Sequence, residues 1–303
     1  MDTIEIKGGQ IVVMKDYVIT TENTCDMPYE YYAENKVEFM YLPCTLDGMV
    51  YNKENDIEAK EFYTRMRSGS MPTTSQVNTE DAKRAWLPML ESGKEILHVS
   101  FSSGLSGTYN SCRLAAEELM EENPQYKIIV VDTLCASMGQ GLILQKALEM
   151  KEGGSSLDEA AKWLEEHKSN LCHVFTVDDL MHLHRGGRVS KVSAVLGTMI
   201  NIKPMLHVDN EGRLILLSKA RGRKKALQSL VDMMQERVGS YRDQNDVIYI
   251  SHGDCEEDAA YVAELVKKQY PSVKTIMMNT IGSTIGAHAG PGTVALFFMG
   301  DRR

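Results

Sequence analysis

The feature that most constrains this chain is a change of pattern near its middle. Up to about residue 167, short aliphatic and β-branched runs alternate with longer amphipathic stretches. The runs at 17–20, 37–42, 95–101 and 127–131 read as strands. The stretches at 57–68, 79–92, 105–122, 139–152 and 157–167 have helical spacing. Their ends are marked by Asp56 and Thr79 as caps, Gly69 as a stop, and Gly153-Gly154-Ser155-Ser156 between two helices. Asp26 is expected to cap a short helix beginning near Pro28. Such alternation predicts a mostly parallel sheet covered on both faces. The second half differs. Runs at 202–208 and 213–219 flank Asp209-Asn210-Glu211-Gly212, a hairpin signal that implies antiparallel pairing. Runs at 171–177, 246–251, 273–278 and 293–299, with helices at 224–238 and 256–269, complete an α+β unit. The expected fold class is α/β, with an N-terminal domain at 1–170 and a C-terminal domain at 171–303. A length of 303 residues suits two domains. Residues 1–14 form an extra leader to which the sequence assigns no role.

Composition removes several classes of function. A net charge of −9 argues against nucleic-acid binding. The longest apolar runs, at 128–131 and 294–299, are strand-sized, so no integral membrane segment is expected. A transient contact with a membrane surface stays compatible with that. The first residues lack the basic and apolar regions of a signal peptide. Six scattered cysteines without a C-x-x-C pair fit a reducing cytoplasm. Nineteen methionines suit an adaptable apolar cavity, although composition alone favours ordinary core filling.

Three stretches concentrate hydroxyls or glycines. Ser102-Ser103-Gly104-Leu105-Ser106-Gly107-Thr108 lies between a strand end and a helix start, where ligands of open α/β sheets bind. Free N–H groups and small residues there make an anion seat. A plain serine-rich cap has the same composition. The segment is neither a Walker A loop nor a G-x-S-x-G elbow. Pro72-Thr73-Thr74-Ser75-Gln76, taken alone, reads as a turn. From Ile281 to Gly292, glycines and a proline surround His288, which is either a ligand-facing group or a satisfied loop histidine. Arg185, in His184-Arg185-Gly186-Gly187-Arg188, can present a guanidinium to a carboxylate or sit in solvent. The run from Lys219 to Lys225 is locally basic in an acidic chain. His182 and His184 have no companions that would complete a metal site, so no metal is expected.

Taken together, these segments resemble the DegV family, and within it the fatty-acid-binding subunits of bacterial fatty acid kinase. The matching pieces are Thr74-Ser75-Gln76, Ser102 through Tyr109, Ser137-Met138-Gly139-Gln140-Gly141, Leu183 through Ser190, Ile202-Lys203-Pro204, Lys219 through Ala226, and Ile285 through Gly292. They occur in the expected order along nearly the whole chain. The resemblance implies a long-chain fatty acid buried between two domains and no other cofactor. It implies that Thr74 and Ser103 bind the carboxylate, with His288 and Arg185 completing the polar network. Ser75, Ser102, Gly104, Ser106 and Gly286 are implied as neighbours of that site, and which of Ser102 and Ser103 faces the ligand stays open. A separate kinase would phosphorylate the bound acid, so the chain itself would have no catalytic residue. The sequence departs from the family pattern at Val77, where proline is usual, and in the leader. Two other functions are compatible with the residues: an acyl hydrolase or transferase using Ser103 or Ser106 with His288 as base, and a regulator docking partners through 219–225.

Overall fold

A computed structural model describes the backbone at 3–7 and 10–14 and residues 16–189 and 201–303. The leader contributes β1 (Thr3–Lys7) and β2 (Gln10–Met14), an antiparallel two-stranded sheet of its own. The first half then runs β3 (Tyr17–Glu22), α1 (Tyr29–Glu34), β4 (Glu38–Met40), β5 (Cys44–Leu46), β6 (Met49–Tyr51), α2 (Ala59–Arg67) and β7 (Thr73–Thr74). It continues through α3 (Thr79–Glu91), β8 (Glu95–Ser100), α4 (Thr108–Glu122), β9 (Ile128–Asp132), α5 (Met138–Glu152) and α6 (Leu157–His167). The second half runs β10 (Leu171–Thr176), α7 (Met181–Arg185), β11 (Ile202–Val208), β12 (Leu214–Arg221) and α8 (Arg223–Arg237). It closes with β13 (Val247–His252), α9 (Glu256–Gln269), β14 (Thr275–Thr280), α10 (Ser283–Ala289) and β15 (Val294–Met299).

The first sheet is wholly parallel, in the order β4-β3-β8-β9. Alternating residues of its strands bury on opposite faces, as a sheet covered on both sides requires. Ile96 and Ile128 join Trp86 and Leu119 of α3 and α4, while Leu97, Val99 and Val131 pack with α5 and α6. The second sheet is mixed, in the order β12-β11-β10-β15-β13-β14, with β13 and β14 the parallel pair. Its outer face, including Val174, Ile250 and Leu296, packs on α8 and α9. Its inner face presents Phe175, Tyr249 and Phe297 to the same core that holds α5. The central helix α5 therefore lies between the two sheets. That position explains its sequence: Met138, Leu142, Ile143, Leu144, Ala147 and Leu148 are buried, and only a narrow edge with Gln145, Lys146 and Glu149 is polar. The fold is the α/β, two-unit arrangement expected from the sequence.

Several local expectations are corrected. Asp26 does not cap α1, which starts behind Pro28. Asp26 is buried in a left-handed conformation (φ 51), and its carboxylate accepts from Ser137 Oγ and Gly282 N. The cap of α3 is Asn78, whose side chain accepts from Asp81 N, rather than Thr79. The supposed turn at 72–76 contains β7, which pairs with β5 in a small antiparallel sheet, β6-β5-β7. The stretch around His288 forms the helix α10 and not a loop. The apolar residues at 195–202 are a further candidate for a cavity wall on sequence alone, and of these 195–200 lie outside the described residues.

Candidate functional site

A cavity of about 220 Å³ lies where the small sheet, the loop after β8, α7, α10 and the inner face of the second sheet meet. Phe175, Leu183, Val208, Ile281, Ile285 and Phe297 make much of its wall apolar. Polar groups gather at the end nearer the surface, from elements far apart in the chain. Pairing of β7 with β5, together with Ser75 N donating to Pro43 O (3.0 Å), fixes Thr74 on the rim. Thr74 Oγ1 lies 2.7 Å from His288 Nε2 on α10. Gly186 ends α7 directly behind that imidazole. A Cβ there would stand 2.2 Å from His288 Nδ1, so no larger residue allows this approach. Ser106 lines the cavity from the loop, held by Thr108 N donating to its Oγ (3.2 Å).

The entry of that loop is held from below by Glu22, a fully buried carboxylate at the end of β3. Its oxygens accept from Ser100 Oγ (2.7 Å), Phe101 N (3.0 Å) and Gln140 Nε2 (2.7 Å), and His98 Nε2 lies 3.0 Å away. Glu22, His98 and Cys112 come within 4.8 Å of one another, the reach of a metal site. Hydrogen bonds already engage both carboxylate oxygens and both nitrogens of His98, the second facing Thr20 Oγ1. The group is a satisfied internal brace.

The charges at the rim are unequal. Burial, helped by the nearby Arg188 guanidinium, pushes the His288 imidazole down to about 4, so it is neutral at pH 7. Arg188 lines the cavity, with Nε donating to Leu105 O (3.1 Å) and Nη1 to Gly186 O. Burial lowers its pKa too, but a guanidinium stays protonated. No carboxylate pairs with it among the described residues. A half-buried cation without a counter-ion, beside neutral hydroxyl and imidazole groups, is a seat for one anionic group.

The structure thus brings together Thr74, Ser75, Ser106 and His288, and it adds Gln76 and Arg188. It leaves the other expected residues outside the cavity. Ser103 is exposed, and its N–H donates to Asp132 Oδ1 (3.1 Å). Ser102 is buried, with Oγ donating to Gly212 O (2.8 Å), and it ties the loop to the β11–β12 hairpin. Gly104 lies against the backbone of Glu211 and Gly212, and Gly286 against Phe62 and Tyr63. Arg185 is exposed, with Nη2 3.2 Å from His182 Nδ1. The sequence signal for Arg188 was its place in the same Arg-Gly-Gly-Arg core. Nothing local singled out Glu22.

Two sheets astride a buried helix, with a mainly apolar cavity that is polar at its outer end, define a class of two-unit α/β proteins. The chain belongs to the DegV family, whose model, described as "Uncharacterised protein, DegV family", matches residues 16–301. It is 44% identical over 292 residues to a DegV domain-containing protein of Clostridium perfringens, covering 96% of this chain and 99% of that one. Its fold is similar to a solved fatty-acid-binding DegV family protein from Thermus thermophilus (31% identity, TM-score 0.83, 94% of this chain and 99% of the other). It is similar also to DegV, a fatty acid binding protein from Bacillus subtilis (28% identity, TM-score 0.80, 95% and 100%). Among the described residues, no helix is long and apolar enough to cross a membrane.

Proposed function

We propose that this protein binds one long-chain fatty acid in the cavity and presents its carboxylate to a partner fatty acid kinase in the cytoplasm. The observation that carries the reading is the unpaired Arg188 beside Thr74, Ser106 and His288 at the outer end of an apolar cavity. An acyl chain has the matching two-part chemistry. Burying it contributes about 0.8 kcal/mol per CH₂, and its head needs a charge-assisted partner. The fatty-acid-binding relatives described above support the same ligand. Of the residues implied by resemblance, Thr74 and His288 keep their proposed role, with Ser75 and Ser106 beside them. In this reading Ser106 and Arg188 take the roles that the resemblance assigns to Ser103 and Arg185. A half-exposed head and a buried tail leave the carboxylate the accessible part, as transfer of a phosphoryl group onto it requires.

Two contacts weigh against the hydrolase alternative. His288 Nε2 faces Thr74 rather than a serine, and Ser106 Oγ is 3.0 Å from Thr108 Oγ1. A nucleophile–base pair needs a direct hydrogen bond between the two. The test is to load the protein with isotope-labelled stearic acid and add ATP with and without a bacterial fatty acid kinase. Acyl phosphate formed only with the kinase supports the proposal. Ester hydrolysis by this chain alone, abolished by Ser106→Ala, contradicts it.

A further inference from the structure

The inner part of the cavity carries polar groups that the carboxylate seat does not use. Ser137 and Ser251 both line it, yet Ser137 is nearly buried and Ser251 fully so. Their hydroxyls are 2.9 Å apart, and Ser137 Oγ also donates to Asp26 Oδ2 (2.5 Å). His173 lines the same region. Its Nε2 accepts from Ala136 N (3.2 Å), which leaves the neutral ring's proton on Nδ1, and that atom is buried without a partner. Strand register makes this a continuous floor. Ser251 of β13 pairs with Ala295 of β15, and His173 of β10 pairs with Phe297, all four lining the cavity. None of these groups hydrogen-bonds Thr74, Ser106, His288 or Arg188.

Two further features set this cluster apart from a pair of incidental serines. Ser137 holds a left-side backbone conformation (φ 53, ψ −148) that side-chain-bearing residues rarely adopt, and it does so without capping α5. Glycine would relieve that conformation, and serine stands there with its hydroxyl on the cavity wall. Asp26 behind it is buried, and burial pushes its carboxyl up to about 7. Both protonation states are therefore accessible near neutrality. An ionised Asp26 accepts the hydrogen bond of the Ser137 hydroxyl, and Ser137 then accepts from Ser251. A protonated Asp26 can donate to Ser137, which frees Ser251 Oγ–H to donate into the cavity. The chain of hydroxyls can thus accept from or donate to a neutral oxygen.

We propose that Ser137 and Ser251, with His173 beside them, form a second recognition point for a hydroxyl or keto oxygen on the tail of the bound acid. The favoured ligand is then an oxygenated fatty acid rather than a plain one. This rests on the fatty-acid reading of the cavity and adds a substrate class to it. A wall that hydrogen-bonds a tail oxygen discriminates against the analogue lacking it, because its own polar groups are left unpaired.

The test is calorimetric titration of the delipidated protein with stearic acid and with positional isomers of hydroxystearic acid. At least one isomer should bind the parent protein about tenfold or more tighter than stearic acid, an advantage of about 1.4 kcal/mol. That ratio should collapse toward unity in Ser251→Ala, and in Ser137→Gly, which keeps the backbone conformation accessible. If Ser251→Ala does not fold, Ser137→Gly decides. The proposal is overturned if every isomer binds no tighter than stearic acid, or if the ratio survives in a folded variant. Retention of neither stearic acid nor any isomer would remove the fatty-acid reading itself, and this inference with it.

Discussion

At the scale of single residues, the outer end of the cavity separates two arginines and two serines that the sequence leaves equivalent. Arg185 and Arg188 differ because α7 stops at Arg185 and Gly187 takes φ 74, which turns the chain so that Arg188 crosses back to Leu105 O. Ser103 and Ser106 differ because the first faces solvent. Arg188→Gln should therefore weaken fatty-acid binding by about 1.5–3 kcal/mol, the worth of a charge-assisted hydrogen bond, and Arg185→Gln by less than the assay resolves. Displacement of a fluorescent fatty acid measures both, and Ser106→Ala against Ser103→Ala should repeat the contrast. His288 gives a pH prediction. Its folded-state value, about 4, lies below the unfolded value near 6.5. The unfolded chain thus takes up the proton first as pH falls. The contribution of the neutral imidazole is fully present above about pH 6.5 and is lost progressively toward pH 4, by an amount on the order of 3 kcal/mol. His288→Gln should show a correspondingly flatter loss of stability across that window in urea titrations.

At the scale of elements, legibility followed how local the cause of each element is. The stretch 157–167 coincides with α6 because its signals are internal: the Ser156–Glu159 capping box and an apolar stripe at helical spacing. The strand 202–208 and the helix 256–269 match β11 and α9 for similar reasons. The elements that hold the site were not legible. β7 is two residues long and exists because β5 pairs with it. α10 is seven residues with a glycine inside, too short to be helical alone, and is held by packing on α2, α7, β5 and β7. Both owe their form to contacts distant in sequence. Asp26 belongs here too, since it joins the start of α5 to the start of α10. Its folded-state value is raised, so its contribution is present below about pH 4 and lost as pH rises through about 7. Asp26→Asn keeps an acceptor for Gly282 N, supplies a donor for Ser137 and cannot ionise. The variant should exceed the parent in stability at pH 8 by a few kcal/mol, and the gain should vanish near pH 4. Thermal melts at the two pH values decide this.

At the scale of the whole molecule, the two sheets meet on one helix. The sheet changes at Leu171, and we keep the division near residue 170 as a proposal about chain organisation. The core around α5 is nonetheless continuous across it. Leu144→Ala in that helix should cost about 2–5 kcal/mol. Hydrogen exchange should show amides of β8 and of β15 losing protection together, where independent domains would lose it separately. A cavity at such a seam has its floor in one half and its rim in both, so a ligand that fills it should raise the stability of both. That account stands on a bound acid, and native mass spectrometry of the freshly purified protein, paired with solvent extraction, reads it out. The spectrum should show the chain plus one fatty acid, the bare chain after extraction, and the loaded mass again after stearic acid is added, with reloading impaired in Arg188→Gln. A bare mass at every stage, with no acyl chain in the extract, would contradict the account.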